Sequence, residues 1–126
     1  MIKTTLLNYK ILKLIFENSV INTNEEFQIQ TNVNSHVNYD EEYEKCACTY
    51  TLKITTDRED IPFNVEVVVS GVFSYDKHDD KKEIHVEVSR KLFPYLQSTT
   101  SALMAMAGIP NFVVPEKELK VEDVAV

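Results

Sequence analysis

Glycine, cysteine and tryptophan are scarce in this chain of 126 residues, which has two glycines, two cysteines and no tryptophan. So few glycines exclude a glycine-rich phosphate loop. Two cysteines exclude a disulfide framework, so a cytoplasmic location is expected. No run reaches the roughly 20 apolar residues of a membrane helix, and no membrane insertion is expected. Met1–Phe16 is apolar, but Lys3, Lys10 and Lys13 interrupt it. It has neither the unbroken apolar stretch nor the small-residue cleavage site of a secretory leader. Positive charge is also in short supply, and the formal net charge is −7. Nucleic-acid binding without sequence preference needs Lys and Arg against phosphates, so no nucleic-acid partner is expected. An acidic surface keeps a chain soluble and attracts a basic partner.

What is present is enough apolar material, 44%, for the core of one domain spanning 1–126. Three segments alternate at period 2, the mark of half-buried strands. In the first, Phe27, Ile29, Thr31, Val33, Ser35 and Val37 share a face, with Gln28, Gln30, Asn32, Asn34, His36 and Asn38 opposite. Cys46, Cys48, Tyr50, Leu52 and Ile54 form the inner face of the second. Phe63, Val65, Val67, Val69, Gly71, Phe73 and Tyr75 form that of the third. Polar connections at Asp40–Glu44 and Asp57–Asp60 read as hairpins. Clean alternation implies an antiparallel sheet covered on one face. The N-terminal run is ambiguous: Leu7, Ile11, Leu14 and Ile15 fit a helix, and its alternation is weak. A strand over Tyr9–Glu17, ended by Asn18, is favoured because three strands follow it.

From Arg90 the period changes. Leu92, Leu96, Thr99, Leu103 and Met106 form one helical stripe, with Pro94 in the first turns and Gly108 and Pro110 as stops. No charged residue occurs between Leu92 and Ala107, and Ser98, Ser101, Ala102 and Ala105 make the far side small and neutral. Such a helix is expected to be covered on both sides. The sheet covers one side; a second copy or the chain's own C-terminal tail covers the other.

Candidate catalytic and metal-binding residues are few. Cys46 and Cys48 share a strand face without further ligands at metal spacing, so core thiols are expected, and no cofactor. His36, His78 and His85 read as solvated surface residues. No nucleophile–base triad and no carboxylate pair is apparent. Asp76–Glu83 reads as a solvated hairpin or loop, and Met104 and Met106 as packing residues. Val20 and Ile21, and Phe112, Val113 and Val114, lie in connections. They either seal the core edge or line a groove for extended peptide.

Two motifs resemble a known family. Leu92-Phe93-Pro94-Tyr95, the small-residue helix after it and Ala107-Gly108-Ile109-Pro110 resemble the SecB protein-export chaperones. Upstream, Gly71-Val72-Phe73-Ser74 matches the end of that family's last strand. The resemblance implies an α+β fold, with a four-stranded antiparallel sheet and a C-terminal helix packed on one face. It implies a homo-oligomer, tetramer or dimer, with the long helix at the interface, here Leu92, Leu96, Ser98, Ala102 and Ala105. It implies a holdase without a reaction, binding unfolded or aggregation-prone polypeptides in apolar grooves. Val20, Ile21, Phe27, Tyr95 and Phe112 would be the peptide-binding residues. Glu66 would be the partner-binding residue for the translocase motor SecA. The chain has Val88-Ser89 where the family has Cys-Pro, Gln97 where it has Arg, and Asn64 beside Glu66. Some SecB-like chaperones instead hold an antitoxin, so a dedicated chaperone of a toxin–antitoxin or mobile-element system, without a role in export, is the alternative.

Overall fold

The computed structural model describes residues 2–18, 29–56, 63–108, 113–114 and 119–120. Four strands come first: β1 (Thr5–Asn18), β2 (Ile29–Asp40), β3 (Lys45–Thr56) and β4 (Phe63–Ser74). They form one antiparallel sheet in the order β1-β4-β3-β2, so β1 and β2 are its edges. Helix α1 (Lys81–Met106) follows and lies on one face. The expected fold class and the strand at the N-terminus are both found.

The alternation of β3 and β4 translates directly into a core. Cys46, Cys48, Tyr50, Leu52 and Ile54 are buried beneath the helix layer, as are Phe63, Val65, Val67, Val69, Phe73 and Tyr75. Residues directly opposed in a pair point to the same face. By that rule Leu6, Tyr9, Ile11, Leu14 and Phe16, paired with Phe73, Gly71, Val69, Val67 and Val65, look toward the helix. Even, odd and then even numbers share one face because Leu7 and Leu12 are bulges in the β1–β4 ladder. Each extra residue reverses the pleat. That is why the N-terminal run alternates so poorly in sequence.

The helix differs from expectation in three ways. It begins at Lys81, nine residues before Arg90, with the Asp80 carboxylate accepting from the Lys82 N–H at 3.4 Å as N-cap. The charged run Asp76–Glu83 hid that start, because its second half is the cap and first turn rather than a loop. Pro94 therefore sits in the interior, exposed, and the helix continues through it. An interior proline ordinarily costs about 3 kcal/mol, a cost the packed stripe offsets. That stripe is Ile84, Val88, Leu92, Leu96, Thr100 and Met104, all buried, whereas Met106 is 79% exposed. Gly108 ends the element as expected: its φ of 89° is left-handed, and its N–H donates to the Ala105 carbonyl.

Leu92 and Leu96 are wholly buried against the chain's own sheet. Of the residues expected at a subunit interface, these two face the chain's own sheet. Of those residues, Ser98, Ala102 and Ala105 are exposed. The tail contributes at Val114, which is 1% exposed and joins the core, while Val113 beside it is exposed. The helix crosses the sheet obliquely. Its start meets β2, where the Tyr39 hydroxyl donates to the Lys81 carbonyl at 2.9 Å. Its middle crosses β4 at Gly71, where an added Cβ would lie 3.0 Å from Leu92 Cδ1 and 3.1 Å from Leu6 Cδ1. The glycine thus permits the close approach. Its end lies over β1.

Candidate binding groove

Where α1 passes over β1, the described residues cover the sheet incompletely. Ile11 and Leu14 from β1 and Ser98, Thr99, Ala102, Leu103 and Met106 from α1 line a cavity of about 320 Å³. Among the described residues no charged side chain lines it. The bulge at Leu12 brings Ile11 and Leu14 to the same side, and the small residues at Ser98 and Ala102 keep the space open. Tyr9 and Tyr95 stack in a tilted contact, 4.4 Å between centroids, toward the helix middle. Phe16 and Phe63 meet edge to face at 5.9 Å farther along β1. Along β1 Leu7, Tyr9, Ile11, Leu12 and Leu14 are each about half exposed, between 43% and 50%. Such a patch marks an interaction surface rather than a scatter of surface apolars.

Of the expected peptide-binding residues, Tyr95 stands beside this groove. Val20, Ile21, Phe27 and Phe112 lie outside the described residues. Tyr9, Ile11 and Leu14 were missed as groove residues, since the bulges scatter them over odd and even positions. Glu66 is on the opposite, open face of the sheet, paired with Lys13 at 3.1 Å.

The titratable groups offer little chemistry. Burial pushes the Cys46 thiol up to about 11 and the Cys48 thiol up to about 12. Both stay protonated and inert as nucleophiles. Burial likewise raises the Tyr39 hydroxyl to about 12. His85 is no solvated residue. It is half-buried, with Nε2 3.1 Å from Ser35 Oγ on β2. Ser89 Oγ donates to the same Ser35 oxygen at 3.0 Å, and Cys48 Sγ lies 3.8 Å from Ser89 Oγ. Burial, with His36 adding to it, holds His85 below the ordinary histidine range. These bonds fasten the helix start to edge strand β2. Among the described residues no three His, Cys, Asp or Glu side chains gather as a metal site, and no helix is long and apolar enough to cross a membrane.

Comparison with known proteins agrees with this architecture. The sequence profile described as preprotein translocase subunit SecB matches residues 12–119. The SecB-like chaperone Rv1957 of Mycobacterium tuberculosis, solved with a ChAD peptide from the antitoxin HigA1, superposes with a TM-score of 0.70 at 10% identity, covering 90% of each chain. A protein of unknown function from Streptococcus agalactiae superposes with a TM-score of 0.52 at 12% identity, covering 92% of this chain and 99% of its own. No curated protein sequence matches the chain. A profile match over most of the chain, on a sheet and helix that superpose on a SecB-like chaperone, decides the family: the chain belongs to the SecB family.

Proposed function

We propose that the protein is a cytoplasmic holdase that binds unfolded polypeptide segments in the groove between β1 and α1. The observation that carries this reading is the neutral groove lined by Ile11, Leu14, Ala102 and Leu103, open beside the Tyr9–Tyr95 pair. Binding there asks for apolar area and little else. At ~25 cal/mol per Å², burial of client side chains drives association without a titrating group. Val20, Ile21, Phe27 and Phe112 are assigned to the same client surface on family resemblance. The test is calorimetry with reduced, carboxymethylated α-lactalbumin, a permanently unfolded chain. Ile11→Ser with Leu14→Ser is expected to weaken binding at least tenfold, or about 1.4 kcal/mol. Ile21→Ser with Phe112→Ser is expected to act in the same direction. Wild-type affinity in the first pair would remove the groove from the reading, and no binding of unfolded chains at all would remove the holdase.

A second reading is a chaperone dedicated to one partner. The structural relative solved with an antitoxin peptide favours it. Tight binding of one partner, encoded beside this chain, with indifference to α-lactalbumin would establish it. The exposed small residues Ser98, Ala102 and Ala105 also suit close approach of a second helix in a dimer or tetramer. Ala102→Glu separates the two uses of this surface: sizing reads the assembly and calorimetry the client. A role in export would place the motor at Glu66. That residue is on the face away from the groove, so motor and client would not compete for one surface.

A further inference from the structure

The two edges of the sheet are built differently, and β2 is the less protected. A sheet edge carries unpaired backbone N–H and C=O groups from every second residue, ready to pair with another strand. Proteins blunt such edges with bulges, prolines and charged side chains. On β1 the ladder is broken at Leu7 and Leu12, and Lys10 and Lys13 project from it. On β2 the pairing with β3 runs from Ile29↔Thr56 to Asp40↔Lys45 without a break. Between Ile29 and Asn38 there is no Asp, Glu, Lys, Arg or Pro. Among the described residues nothing pairs with the outer side of β2. The strand is 12 residues long, about 40 Å at the rise of an antiparallel strand. Its fastening to the helix through Ser35, Ser89 and His85 holds it rigid as a template.

We infer that β2 is a strand-addition edge for an extended segment of the client polypeptide, an inference that rests on the holdase reading above. Backbone pairing supplies recognition that every unfolded chain can satisfy. The flanking side chains set the preference. Positions on the helix side would lie beside Ile29, Thr31 and Val33, and positions on the open side beside Gln30, Asn32 and Asn34. The fitting segment therefore alternates apolar with uncharged polar residues, the pattern of an aggregation-prone strand. A second copy fits less well. Each copy carries a net charge of −7, and the far end of β2 runs into Asp40, Glu41, Glu42 and Glu44. Two copies meeting edge to edge bring like net charges together, although antiparallel pairing sets their two acidic ends at opposite ends of the pair.

Amide hydrogen exchange by NMR on the full chain, saturated with reduced, carboxymethylated α-lactalbumin, tests this. Alternate amides between Ile29 and Asn38, open in the free chain, are expected to slow at least tenfold. Binding by calorimetry with those amides unchanged overturns this inference and leaves the holdase reading standing. No binding overturns both. Slowing on concentration of the chain alone assigns the edge to a second copy and overturns the client. Paired variants add a check, because adjacent residues in a strand point their N–H groups to opposite sides. Of Val33→Pro and Asn34→Pro, the one whose N–H faces outward is expected to keep its melting temperature and lose at least tenfold in client affinity. Wild-type affinity in that folded variant overturns the inference.

Discussion

Strands β1 and β2 end the same sheet and carry opposite equipment. β1 offers side chains. Its bulges at Leu7 and Leu12 interrupt the ladder but leave Tyr9, Ile11 and Leu14 half exposed on the helix side. β2 offers backbone, with an unbroken ladder to β3 and a row of Asn, Gln and His on its open face. A bulge trades hydrogen-bonding regularity for a re-aimed side chain. One edge is thus suited to apolar contact and the other to strand pairing, and one oblique helix supports both.

The largest effect tests that shared support. Leu92 is fully buried where the helix crosses Gly71, and Leu92→Ala is expected to cost ~2–5 kcal/mol in denaturant unfolding. Client affinity at both edges should fall together. A loss at one edge only would show that the helix does not couple them.

Deleting Leu12 converts one edge toward the other. Ile11 already pairs with Val69 and Lys13 with Val68, so removing the extra residue restores a regular ladder without moving either pairing. Stability is expected to change by about 1 kcal/mol or less on this surface strand. Self-association by sizing should rise, because the regular stretch of edge from Asn8 onward becomes a better template. A monodisperse deletion variant would mean that Lys10, Lys13 and the remaining bulge at Leu7, not the bulge at Leu12, protect β1.

Acid should loosen the β2 side. His85 has a lowered folded-state value because burial, then His36, disfavours the imidazolium. Its contribution is fully present above the ordinary histidine value near 6.5 and is lost as pH falls below it. The slope for one such group is at most about 1.4 kcal/mol per pH unit. Denaturant midpoints at pH 7 and pH 5 should differ more in the wild type than in His85→Gln, and exchange in β2 should accelerate first. Equal pH dependence in the two proteins would show that His85 is not the responsive group.

The smallest effect lies on the open face. The Lys13–Glu66 pair is half exposed at the lysine end, and Glu66→Gln should change stability by less than about 1 kcal/mol. A larger change would mean that the pair holds β1 to the sheet.

Much of this was legible because burial acts at the period of the element. β3 and β4, covered by the helix, show their inner faces residue by residue as Cys46–Ile54 and Phe63–Phe73. The charge-free stretch after Leu92 marked the helix, and Gly108 its end. The helix start was not legible, since Asp80 caps it inside a run of charges that reads equally as a loop. The groove was scarcely legible, since two bulges reverse the pleat within β1 and put Ile11 and Leu14 on one side.

By itself the sequence determined a four-stranded sheet with a neutral C-terminal helix, and with its motifs it pointed to the SecB family. Periodicity and local caps suffice for that. Only the tertiary structure decided that Leu92 and Leu96 are spent on the chain's own core, that His85 bridges to Ser35, and that the open apolar surface lies between β1 and α1. These depend on strand order, bulge positions and the oblique path of the helix over Gly71. All three are long-range pairings that no local pattern encodes.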